Sequence, residues 1–132
     1  MVFGTFDLLH EGHKFLLIEA GKRGDVTVIV ARDRNVERIK ALKPTEPEEQ
    51  RREALKEAFP DYTVLLGDPM DFLTPVREIK PDLILLGYDQ KFPPGVTEKD
   101  LKTLTKSIER LPAHKPDTFK SSRRRATFGS TS

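Results

Sequence analysis

The chain has 132 residues, a formal charge of +2, 33% charged and 36% apolar side chains. That suits one domain with a real core and leaves too little chain for a separate substrate domain. With no cysteine, disulfides, Cys-based zinc sites and thiol catalysis are excluded, and three histidines are too few for most all-histidine metal sites.

In chain order, Met1-Val2-Phe3 starts a strand that meets Gly4 after only three residues, where a central parallel strand normally spans about five. An amphipathic helix with Phe15, Leu16, Ile18 and Ala20 begins after Gly12, and residues 26–31 form a β-branched run of the kind covered on both faces. Thr45 is the predicted N-cap of the next helix, with Glu48 completing a capping box and Pro47 in the first turn, leading into residues 49–59. Residues 62–66 are the third strand, residues 71–79 a short helix, and residues 83–86 a fourth strand stopping at Gly87-Tyr88-Asp89-Gln90. From Thr97, with Asp100 three residues on, the pattern predicts a helix to about Arg110.

This alternation predicts an α/β fold, a Rossmann-like doubly wound parallel sheet of order 3-2-1-4-5 with helices on both faces. The loops after strands one and four then flank one crevice. A single domain is expected over residues 1–125, with residues 126–132 a mobile tail. No stretch approaches the roughly 18 apolar residues of a membrane span and no secretory signal pattern is seen, so a soluble, cytoplasmic protein is expected.

The residues between the first strand and first helix, Gly4-Thr5-Phe6-Asp7-Leu8-Leu9-His10-Glu11-Gly12-His13, carry most of the chemistry. His10 and His13 are one helical turn apart, so both imidazoles project to one side, and each can donate to a phosphate oxygen. Unpaired N–H groups at the helix start attract anions, and the glycines make space. The string matches G-x-F-D-x-x-H-x-G-H and resembles the nucleotidyltransferase signature of the cytidylyltransferase-like family.

That resemblance implies in-line attack on the α-phosphorus of a nucleoside triphosphate. An acceptor phosphate monoester, with a second pKa of about 6, is already ionised and needs no general base. Thr5 and Phe6 are expected to present backbone groups to the triphosphate, Glu11 and Gly12 to complete the nucleotide site, and His10 and His13 to meet the phosphates whose charge grows. Asp7 is expected to orient the turn; capping by Asp7 and core filling by Phe6 are the structural alternatives. In the run 38–43, Lys40 and Lys43 are candidate phosphate contacts, as is Arg51 in Glu49-Gln50-Arg51-Arg52, against a plain solvated role for each. Asp89 is the candidate for the nucleotide's ribose or base. Thr118-Phe119-Lys120-Ser121-Ser122-Arg123 resembles the late Ser/Thr motif, with Ser121 and Ser122 closing over the phosphates, although Arg123 stands where a further hydroxyl is typical.

Val30-Ala31-Arg32-Asp33, Lys43-Pro44, residues 47–52, Lys80-Pro81-Asp82 and residues 86–90 resemble the archaeal FAD synthetases, which transfer AMP from ATP to FMN. The resemblance implies Mg²⁺ or another divalent cation bridging the triphosphate, held largely by substrate phosphates without a protein metal site. It also implies a homodimer, with no membrane or nucleic-acid partner. The alternatives are a cytidylyltransferase using CTP and glycerol 3-phosphate, a non-catalytic nucleotide-binding regulator, and a nucleic-acid module built on Arg123, Arg124 and Arg125.

Overall fold

Among the described residues five parallel strands form one sheet, the inner ones rich in valine, isoleucine and leucine: β1 (Val2–Gly4), β2 (Thr27–Val30), β3 (Thr63–Leu66), β4 (Leu83–Leu86) and β5 (Ser107–Arg110). The order is β3-β2-β1-β4-β5, as the alternating pattern predicts. The computed structural model describes residues 1–40, 43–92 and 95–113. Ser121, Ser122 and the expected tail at residues 126–132 lie outside them.

Period-2 alternation sends neighbouring side chains to opposite faces. Val2, Val28, Val30, Val64 and Leu85 meet Leu17 of α1 (Glu11–Gly21) and Leu55 of α3 (Glu48–Ala58) on one face. On the other, Phe3, Ile29, Ile84 and Leu86 meet Val76 of α4 (Thr74–Ile79) and Leu101 of α5 (Glu98–Lys102). Burying each such aliphatic side chain contributes roughly 1.5–3 kcal/mol, and both clusters converge on β1. Although β1 has only three residues, it pairs with β2 over its whole length, Val2 with Val28 through Gly4 with Val30, and with β4 through Val2 and Leu85.

The helix predicted from Thr97 to Arg110 is wrong beyond its first turns. Thr97 and Asp100 form a capping box at the predicted start, but α5 ends at Lys102 and the chain becomes edge strand β5, pairing Leu83 with Ser107 through Leu86 with Arg110. Leu101, Leu104 and Ile108 recur at helical spacing because a helix and then a strand present them to the same cluster. The α3 start also differs: its N-cap is Pro47, without a side-chain cap, and Glu48 accepts from the Asp33 N–H at 2.9 Å and from Arg32 at 3.1 Å. Glu48 thereby satisfies the start of α2 (Asp33–Lys40), a helix the sequence pattern did not announce; Val36 is its buried anchor.

Candidate active site

Gly4 ends β1 beside Phe6, whose ring would lie 2.8 Å from any Cβ at position 4. The close approach lets the chain turn at once. Phe6 and Leu8 take left-handed backbone angles, φ 54° and 51°, a conformation that side chains other than glycine adopt at a cost. Phe6 spends its side chain in the core and meets His13 edge-on, ring centroids 5.4 Å apart.

The two histidines then start α1 in an unusual way. His10 is the N-cap, and its Nδ1 accepts the Gly12 N–H at 3.1 Å; the His13 Nδ1 accepts the His10 N–H at 3.3 Å. Their rings stack with centroids 3.7 Å apart and planes 20° from parallel. A neutral imidazole that accepts through Nδ1 carries its proton on Nε2. Both rings are therefore set as Nε2–H donors by the backbone they cap. Partial desolvation lowers the His10 pKa from its ordinary 6.5, and the neighbouring Glu11 charge only partly opposes this.

Asp7 does more than orient its own turn. Its carboxylate accepts the N–H groups of Thr45 and Glu46 at 2.8 and 2.9 Å, while the Leu8 N–H donates back to Glu46 at 2.9 Å. Desolvation works to raise the Asp7 pKa, but the two N–H groups and the nearby Arg51 charge outweigh it and hold the carboxyl below its ordinary range. Lys43 is exposed and stands two residues before Thr45. Lys40 closes α2.

Arg51 has a different position from the one its motif suggested. Its side chain is 0% exposed, and its guanidinium donates to the carbonyls of Thr5, Ala31 and Glu46 and to the Asp33 carboxylate. A guanidinium so enclosed has no face turned to a phosphate. The expectation that Arg51 is a phosphate contact is corrected accordingly, and the Thr5 carbonyl faces this arginine. Removing the guanidinium would leave the partly buried carbonyls of Thr5, Ala31 and Glu46 without this donor, while the Asp33 carboxylate, 39% exposed, could turn to water.

The β4 loop is tied to the same end of the sheet as the motif turn. Gln90 accepts the Gly87 N–H at 3.1 Å and donates to the Phe3 carbonyl at 3.0 Å, tying this loop to the end of β1. Arg110, at the end of β5, donates to the carbonyls of Gly87, Tyr88 and Gln90. Asp89 and Tyr88 are exposed at the tip of the turn. Gln90 and Arg110 escaped the sequence reading because one lies in an irregular turn and the other in a strand mistaken for helix. A hollow of about 370 Å³ between Val2, Asp25, Lys80 and Leu83 sits at the opposite, amino-terminal pole of the sheet, away from the motif.

Among the described residues no group of three or more His, Asp or Glu side chains is placed to hold a metal ion. Nor is any helix among them long and apolar enough to cross a membrane.

A parallel sheet whose central strand delivers paired imidazole donors to a helix start, opposite the loop of the next strand, is a nucleotidyltransferase type of Rossmann-like domain. The chain belongs to the cytidylyltransferase-like family, whose model matches residues 1–132. It is 48% identical over 107 residues to a protein named FAD synthase from Methanosphaerula palustris, covering 80% of this chain and 69% of that one. A second FAD synthase, from Methanosarcina mazei, is 44% identical over 85% of this chain and 75% of its own length. A third, from Methanospirillum hungatei, is 42% identical over 91% and 78%. Among solved structures, the lipopolysaccharide core biosynthesis protein of Thermoplasma volcanium superposes with a TM-score of 0.75 at 36% identity, covering 87% of this chain and 96% of that one.

Proposed function

We propose that this chain is an FMN adenylyltransferase, joining AMP from ATP to FMN to give FAD and pyrophosphate. The reading rests on the relatives' FAD synthase names and, within the site, on the reciprocal histidine cap. An FMN phosphate oxygen attacks the α-phosphorus, forming one P–O bond as the bond to the bridging oxygen of the β-phosphate breaks. The electron pair leaves with pyrophosphate. Because the attacking phosphate is already ionised, with a second pKa of about 6, no proton need be removed.

What remains is positioning and charge neutralisation. His10 and His13 offer their Nε2–H groups to the oxygens that gain charge, from rings already fixed by the backbone. Thr5, Phe6, Glu11 and Gly12 shape the turn around the phosphates, Lys40 and Lys43 are the proposed basic contacts to them, and Asp89 takes the nucleoside from the β4 loop. Ser121 and Ser122 belong to the proposal through their motif alone, as further phosphate contacts. A divalent cation, in this reading, arrives on the triphosphate as part of the substrate and is held largely by its phosphates. A homodimer belongs to the same proposal, supported by exposed Leu65 on edge strand β3 and exposed Met70 beyond it.

The test is a panel of nucleoside triphosphates against FMN and small alcohol phosphates, read by product mass. FAD from ATP plus FMN is the expected product. CDP-linked product from CTP plus glycerol 3-phosphate would replace this reading with the cytidylyltransferase one, and tight nucleotide binding without pyrophosphate release would leave a regulator.

A further inference from the structure

Arg51 is fully buried yet lies next to the phosphate-binding turn, and its hydrogen bonds join pieces of chain that share no other element. Nη1 donates to Thr5 at 2.8 Å and to Ala31 at 2.9 Å, Nε to Glu46 at 2.9 Å, and Nη2 to Asp33 at 2.6 Å. These acceptors follow β1, follow β2, precede α3 and begin α2, so one planar cation gathers four chain segments at the carboxyl end of the sheet. A guanidinium spreads its five donors over a rigid planar fork and so reaches acceptors on different sides, whereas an ammonium has three donors on one atom at the end of a flexible stem.

The Thr5 carbonyl leads directly into Phe6, held at φ 54°, and the Phe6 ring lies edge-on to His13, which stacks on His10. Glu46, bound by Arg51 through its carbonyl, returns to the same turn through its carboxylate on the Leu8 N–H, while Asp7 holds its N–H. Two separate routes thus run from Arg51 to the residues on either side of Asp7.

We infer that Arg51 is a positioning residue: through Thr5 and Glu46 it fixes the left-handed turn that aims the paired imidazoles, and it does not itself touch phosphate. The inference rests on the proposed transferase reading for its kinetic effect, but the aim of the rings is a property of the free protein.

Arg51→Lys keeps the charge and loses the fork. In folded Arg51→Lys, confirmed by circular dichroism and a cooperative melt, kcat falls at least about tenfold while KM for the nucleotide changes less than threefold, as expected when transition-state alignment and not ground-state binding is lost. The imidazole ¹⁵N signals of His10 and His13, recorded without substrate, shift from a single Nε2–H tautomer towards a mixture. Should Arg51→Lys fail to fold, Asp33→Asn removes one partner of the guanidinium in a milder way, and the same two readouts move in the same direction by less. Wild-type kcat and unchanged imidazole signals in whichever variant folds would reduce Arg51 to an ordinary buried arginine. Because the ring signals need no substrate, an error in the assigned acceptor would show in the product panel and leave this test standing.

Discussion

His10 and His13 stack at 3.7 Å while each turns Nδ1 to a backbone N–H of the same helix start. The cap is therefore also the device that leaves the proton of each neutral ring on Nε2. Asparagine at position 10 places an amide oxygen near the Nδ1 site and is itself a favoured N-cap, but it has no donor at the Nε2 site. We expect His10→Asn to keep stability within about 0.5 kcal/mol while turnover falls about 10²-fold, as for loss of one transition-state donor. His13→Ala should lose a comparable factor and about 1 kcal/mol of stability with its capping bond. Full turnover in both would remove the proposed mechanism.

The pH dependence has a defined sign. His10 titrates below its ordinary 6.5 because desolvation disfavours its charge. Near and below that value the unfolded chain binds more protons than the folded one, so stability rises with pH from the lowered folded pKa up to 6.5 and levels off above it. Protonated Nδ1 also cannot accept the Gly12 N–H. Melting temperature followed from pH 7 downwards should drop more in the wild type than in His10→Asn, which lacks this titration; parallel curves would contradict the partly desolvated, neutral cap.

Gly4→Ala tests the turn without touching a charge. The new Cβ would meet the Phe6 ring at 2.8 Å, against a side chain packed in the core. Overpacking of this kind costs about 1–3 kcal/mol, to be read by denaturant unfolding, and any shift of Phe6 should pass to His13. A variant as stable and active as the wild type would show that the ring has somewhere else to go.

Gln90→Ala releases the β4 loop from Phe3 and Gly87 together. Each neutral hydrogen bond contributes about 0.5–1.5 kcal/mol, so KM for the nucleotide should rise about tenfold if the loop holds the nucleoside side of the crevice. Steady-state kinetics with varied nucleotide read this directly, and an unchanged KM would free Asp89 and its turn from that role.

Chelation separates a cation carried by substrate from one resident in the protein. With EDTA, turnover should stop while the melting temperature of the nucleotide-free protein stays put, since no acidic or histidine cluster among the described residues depends on a metal. A lowered melting temperature would point to a built-in metal.

The sequence by itself determined the sheet order and the place of the turn that joins β1 to α1. Doubly buried strands read as unbroken apolar runs, and a Gly-to-His string with fixed spacing is local information. Tertiary structure decided what depends on contacts between distant segments. Leu101, Leu104 and Ile108 look like one helix until the β4 edge captures residues 107–110 as a strand, because an exposed edge offers hydrogen bonds that outweigh helical spacing. Arg51 looks like a phosphate ligand until four chain segments enclose it, and Glu48 looks like its own helix's cap until Asp33 and Arg32 claim it. A side chain's partner is set by which segments the fold brings together, and periodicity along the chain carries no record of that.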